Sequence, residues 1–164
     1  MLSVMTITRT SDEPLMEVRE SEIESRARVA ALLDRYLISL DQEELDAGWA
    51  ADLFTADAVV AFPISRHEGI EGMAGYHAAA LSAFAATMHL GSPAVVEVRD
   101  GTATLRANLM STHVHHCAAQ DGPPPLFTTG TSVRGSARRT AGGWRLAELT
   151  FRLVWSQGSP PSSA

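Results

Sequence analysis

The feature that most constrains this chain is a series of long alternating segments in its second half. The stretch "WRLAELTFRLVWSQ" (144–157) sets Trp144, Leu146 and Glu148 against Arg145, Ala147 and Leu149. Before it, "LFTTGTSVRGSARRT" (126–140) alternates in the same way, and "AGG" turns between the two. Further upstream, two strand-like runs flank "RDG" (99–101), a tight-turn signal. Successive side chains of a strand point to opposite faces. About four long antiparallel strands with one apolar face must bury that face against another layer.

The first half of the chain supplies that layer. "SEIE" at Ser21–Glu24 is a capping box. Behind it Ile23, Ala27, Ala30, Leu33, Leu37 and Leu40 recur at three- and four-residue steps, the stripe of a helix with one buried face. "DQEE" (41–44) repeats the box with Asp41 as N-cap, and predicts a second helix carrying Leu45, Trp49, Leu53 and Phe54. "AVVAFP" (58–63) reads as a strand ended by Pro63, and "RHEGI" as a second short one. Alanine-rich "EGMAGYHAAALSAFAAT" (71–87) reads as a third helix. The order predicts one α+β domain over residues 21–157: a cone-shaped barrel whose curved, mostly antiparallel sheet wraps three helices and leaves a pocket at its open end. Residues 1–20 read as a flexible lead-in and 158–164 as a disordered tail.

Composition removes several function classes. The net charge is −6, which argues against a nucleic-acid partner. All 13 basic residues are arginine, so a lysine Schiff base and a lysine phosphate loop are excluded. No apolar run approaches the ~20 residues of a membrane span. The single cysteine, Cys117, and a first segment without a signal-peptide core predict a cytoplasmic protein.

Three strings resemble the SnoaL-like family of the nuclear-transport-factor-two-like superfold: "LLDRYLISLDQEELDAGWAADLFTADAVVAF" (32–62), "MHLGSPAVVEVRDGTATLRANL" (88–109) and "RRTAGGWRLAELTFRLVW" (138–155). That superfold holds scytalone dehydratase, limonene epoxide hydrolase, ketosteroid isomerase and polyketide cyclases. The resemblance implies a cone that binds a small, largely apolar molecule. It also implies a homodimer joined through the outer face of the sheet. The superfold hosts enzymes and binding modules alike, so function has to be argued from the site.

Asp41 matches the acidic position that orients a catalytic histidine in scytalone-dehydratase-like members; it also reads as a plain N-cap. His89, opening "HLGSP", falls where those members place their general acid/base, and imidazole suits proton transfer near neutral pH. Tyr36 lies on the buried side of the first helix, as an oxyanion donor or a core aromatic. His67 reads as a residue of the pocket mouth, and His77 as a surface or packing residue. In the strand at 103–117, Leu109, Ser111, His113 and His115 share one face, and Asn108 and His116 the other. The second catalytic histidine of scytalone dehydratase would fall near Ala107 or Asn108. Neither is histidine. His113 stands as the substitute, and Asn108 as a donor to a substrate carbonyl if it faces inward. Arg134 binds a carboxylate if inward and solubilises the sheet if outward. Trp49, Phe151, Trp155 and His115 are the remaining candidates for the pocket wall.

Together these residues predict a cofactor-independent acid–base enzyme, a dehydratase, cyclase or isomerase acting on a polyketide-like or other cyclic molecule in secondary metabolism. Three alternatives stay open. An epoxide hydrolase would use Asp41 with Arg134. A binding or assembly subunit would need no base. A metal enzyme would use His113-x-His115 with a third ligand from His89, Asp41 or His67; no metal is the preferred expectation.

Overall fold

A computed structural model describes residues 21–116 and 124–161. The expectations for residues 1–20, for Cys117 and for 162–164 lie outside the described residues. Helix α1 (Glu22–Gln42) begins at the capping box: Ser21 Oγ accepts from the Glu24 N–H, and Glu24 reaches back to the Ser21 N–H. Its buried stripe is Val29, Leu33, Tyr36, Leu37 and Leu40. Asp41 belongs to the last turn of α1 and caps nothing. The N-cap of α2 (Ala47–Leu53) is instead Asp46, which accepts from the Trp49 N–H at 2.7 Å. A second cap signal five residues downstream of the first therefore overrides it, and Asp41 is released for other work.

Strand β1 (Phe54–Phe62) starts four residues earlier than the β-branched run suggests, taking in Phe54 and "TADA". After β2 (Ser65–Glu68) comes α3 (Met73–Leu81), which is shorter than its alanine content predicts. Residues from Phe84 onward are claimed by β3 (Phe84–Gly91). Alanine favours a helix by only a few tenths of a kcal/mol per residue over most side chains, and pairing with a neighbouring strand outweighs that. Strands β4 (Val95–Arg99), β5 (Thr102–His115), β6 (Leu126–Thr140) and β7 (Gly143–Gln157) form the meander. Asp100 and Gly101 both take positive φ, as a two-residue hairpin turn at "RDG" requires.

The seven-stranded sheet runs β2-β1-β7-β6-β5-β3, with β4 also on β5. Only β1 and β7 pair in parallel. β4 lies against the first half of β5 and β3 against the second, so β5 carries two short strands end to end on one edge. The helices lie on the concave face. Their contact with it is the core, from Val29 and Leu33 through Leu105, Val133, Leu146 and Phe151. At Gly91 an added Cβ would come within 2.7 Å of Leu37 Cδ1, so the missing side chain lets α1 sit close to β3. The result is a three-helix, open-cone α+β domain.

Candidate active site

The close seating of α1 against β3 brings Asp41 to His89 across 48 residues of sequence. The Asp41 Oδ1 atom accepts from His89 Nδ1 at 2.7 Å and from Thr87 Oγ1 at 2.8 Å; Oδ2 accepts from the His89 backbone N–H at 2.7 Å. The two side chains are 8% and 11% exposed, so the pair is nearly dry. Burial alone would raise the Asp41 pKa. The bonds from the His89 ring, its backbone and Thr87 outweigh burial and hold the carboxyl below its ordinary value. Because the carboxylate can only accept, Nδ1 of His89 carries the proton. Nε2 makes no hydrogen bond among the described residues.

His113 sits on the same concave face, its ring edge-on to His89 with centroids 5.9 Å apart. It is held between Phe84 and Phe127, at 4.5 and 5.7 Å. Its Nδ1–H donates to the Phe127 carbonyl at 3.0 Å, so its Nε2 is also an acceptor. Burial is the largest cause of its lowered pKa; the Phe127 carbonyl opposes this in part. His113 is therefore kept neutral beside the Asp41–His89 pair.

All six histidines have a fixed ring partner, and this separates them. His67 donates to Glu71 O, His77 to Met73 O, His113 to Phe127 O, His115 to Ser159 O and His116 to Ser82 O. Among the described residues, only His89 donates to a carboxylate. No group of three or more His, Cys, Asp or Glu side chains among the described residues is placed to hold a metal ion.

Several expectations change. Tyr36 is fully buried, and its hydroxyl lies 3.0 Å from Nε2 of His77. Since Nδ1 of His77 donates to a carbonyl, Nε2 must accept, and the Tyr36 proton is already used. Burial pushes the Tyr36 phenol up and the His77 imidazole down to about 4. His77, expected as a surface or packing side chain, is 2% exposed and sits in the aromatic core with Trp49, Phe54 and Phe62. Trp49 is likewise core: its indole N–H donates to Ser39 Oγ at 2.7 Å. Asn108 and Arg134 are exposed, on the outer face. Their neighbours Leu109 and Val133 are buried, and alternation leaves no other choice. Trp155 is also outside, 46% exposed, because a bulge between Gly130 and Thr131 shifts the register of β7. Phe151 faces inward, stacked on Phe62 at 4.7 Å. His67 lies on β2, the edge strand opposite β3 in the sheet order, stacked on Tyr76. His115 points at the C-terminal segment through Ser159.

Sequence reasoning missed Thr87, the third donor to Asp41. Its position two residues before His89 is the signal, visible once 84–91 is read as a strand instead of a helix end.

The fold has known counterparts. A protein from Kribbella flavida superposes with a TM-score of 0.75 at 23% identity, covering 84% of this chain and 95% of that one. The hexachlorocyclohexane dehydrochlorinase LinA-type3 of Novosphingobium barchaimii gives 0.70 at 16%, covering 84% and 91%. A scytalone-dehydratase-like protein of Novosphingobium aromaticivorans gives 0.66 at 18%, covering 87% and 95%. At these identities the likeness shows the fold. No curated protein matches the sequence. The family model described as SnoaL-like domain does match, over residues 21–150, and the chain belongs to that family.

Proposed function

We propose that the Asp41–His89 pair is the proton-transfer centre of a cofactor-independent enzyme acting on a small cyclic molecule. One observation carries this reading: among six histidines, only His89 is bonded through Nδ1 to a nearly buried carboxylate and keeps Nε2 free. Asp41 fixes the tautomer and steadies the imidazolium once His89 takes a proton. In a dehydration, His89 Nε2 removes a proton from carbon and the C–H electrons form the new double bond. The neighbouring C–O bond breaks as that double bond forms, its electrons leave on oxygen, and the oxygen takes the proton held by the His89 imidazolium and departs as water. In an isomerisation the same imidazolium returns its proton to another carbon. His113, neutral and edge-on to His89, shapes the cleft around the reacting carbon and leaves the charge of the Asp41–His89 pair uncompensated by a second cation.

A dehydrochlorinase and a dehydratase-like protein among the relatives support elimination as the reaction class. Epoxide opening by Asp41 with Arg134 is disfavoured, since the two lie on opposite faces of the sheet. The test is turnover of hydroxylated tetralones, scytalone among them, and of γ-hexachlorocyclohexane, followed by dehydration absorbance and chloride release. Wild type is expected to turn over at least one compound, and His89→Ala to lose that turnover while still binding it. Equal turnover by the two proteins would refute the role of His89; binding without turnover by either would favour a binding module.

We also propose a homodimer. Leu90, Met110 and Trp155 form an exposed apolar row across β3, β5 and β7, with Gly130 of β6 beneath Trp155. A row of this kind on a sheet face marks an interaction surface. No helix of the described residues is long and apolar enough to cross a membrane; with one cysteine in the chain, a cytoplasmic site of action is the reading adopted.

A further inference from the structure

His89 is paired directly across β3 and β5 with Ser111, so their side chains share the concave face. Ser111 is 5% exposed, yet its hydroxyl makes no hydrogen bond among the described residues. The wholly enclosed side-chain atoms without a partner are Thr131 Oγ1 and Trp144 Nε1, and Ser111 Oγ is not among them. Its hydroxyl is thus unpaired among the described residues but not wholly enclosed. Directly opposed side chains on an antiparallel pair have Cβ atoms about 4.5–5.5 Å apart. Ser111 and the His89 ring therefore lie side by side on one wall.

The chemistry of this wall is one-sided. His89 Nε2 and His113 Nε2 are both lone pairs, because each ring gives its proton to Asp41 or to Phe127. The Thr87 hydroxyl is bonded to Asp41 and the Tyr36 hydroxyl to His77. A carbonyl oxygen can only accept. On entering beside His89 it finds, among the described residues, the Ser111 hydroxyl as a free donor; Thr129, the partner of Ser111 on β6, is a strand further away.

We propose that Ser111 is the oxygen-binding residue of this cleft, donating to a substrate carbonyl that adjoins the carbon from which His89 takes its proton. The assignment rests on the reading of the cleft as a substrate site. The proton passes from carbon to His89 Nε2, the C–H electrons form a C=C bond, and the carbonyl π electrons move to oxygen. The Ser111 O–H is positioned to stabilise that enolate. In a β-hydroxyketone the enolate electrons return to re-form the carbonyl, the C=C shifts as the β C–O bond breaks, and the departing hydroxyl takes the proton from His89 and leaves as water.

Binding of two matched probes tests this: 1-tetralone, which carries the carbonyl, and tetralin, which lacks it. Calorimetry on wild type is expected to show 1-tetralone bound about three- to tenfold more tightly, the worth of one hydrogen bond. Ser111→Ala is expected to bind both alike, with tetralin unchanged, and Ser111→Thr to restore the preference. Thr129→Val and His89→Ala are expected to keep it. A keto preference intact in Ser111→Ala, lost in Thr129→Val, or absent from wild type overturns the assignment. The His89→Ala readout is binding alone, so a failed proton-transfer reading leaves this result standing, and the converse.

Discussion

The carboxylate of Asp41 holds His89 at two points, one oxygen on the ring N–H and the other on the backbone N–H. The imidazole cannot rotate or shift along the strand without breaking one of them. Asp41→Asn keeps the shape but turns a double acceptor into a mixed group. If its amide faces Nδ1, the His89 proton must move to Nε2, and the lone pair is lost from the cleft. Turnover is expected to fall about 10²–10⁴-fold. Nitrogen NMR of the imidazole checks the cause: a protonated Nδ1 in wild type and a protonated Nε2 in the variant. An unchanged tautomer with full activity would sink the role given to Asp41.

The same pair shows what the sequence discloses. The capping box at Ser21, the turn at "RDG" and the alternation of β5 through β7 are local, and each was legible. The seat of Asp41 was not. "DQEE" looks like a cap because the pattern is local; the cap at Asp46 is just as local, so the sequence offers two and does not choose, and the close packing at Gly91 that seats Asp41 is tertiary. His77 was hidden for the same reason: an alanine-rich helix gives no periodic apolar stripe from which its buried side could be read. Trp155 was misplaced by one bulge, which moves every later side chain of β7 to the other face.

His77 makes a pH prediction. Its pKa falls from 6.5 to about 4 because burial disfavours the charged ring. The folded state therefore binds fewer protons than the unfolded state between those values, and stability rises with pH across that window. It is fully present above the unfolded pKa and is lost as pH falls from 6.5 toward 4. The linked loss is roughly 3 kcal/mol. Urea unfolding at pH 7.5 and 4.5 measures it. His77→Phe is expected to be less stable at pH 7.5, with the Tyr36 hydroxyl unpaired, but to show a flatter dependence in this window, the slope that remains coming from His113, whose pKa burial also lowers. The depressed Asp41 acts lower, its contribution lost as pH falls below 3.8, so the two effects separate. A slope as steep in His77→Phe as in wild type would contradict the assignment.

The outer apolar row predicts assembly. Met110 is 43% exposed and Trp155 46%. A Met110→Glu, Trp155→Glu double variant places two charges where a partner sheet would lie, and desolvating even one unpaired charge costs several kcal/mol. Sedimentation is expected to give a dimer for wild type and a monomer for the variant, with the far-UV spectrum unchanged. A wild-type monomer at tens of micromolar would dispose of the dimer.

Thr131 offers the last prediction, and its sign is opposite to that of most core changes. Its hydroxyl is enclosed without a hydrogen-bond partner among the described residues. It lies between Leu109 of β5 and Leu153 of β7, both apolar. An unsatisfied buried polar group costs about 1–3 kcal/mol. Valine has nearly the same shape, keeps the β-branch that suits a strand, and removes the oxygen. Thr131→Val is therefore expected to stabilise the fold by about 1 kcal/mol, read as a higher urea midpoint at unchanged slope. The site lies two strands from β3, so Asp41 and His89 keep their geometry and turnover should not move. A lower midpoint would mean that the hydroxyl has a partner that valine cannot replace.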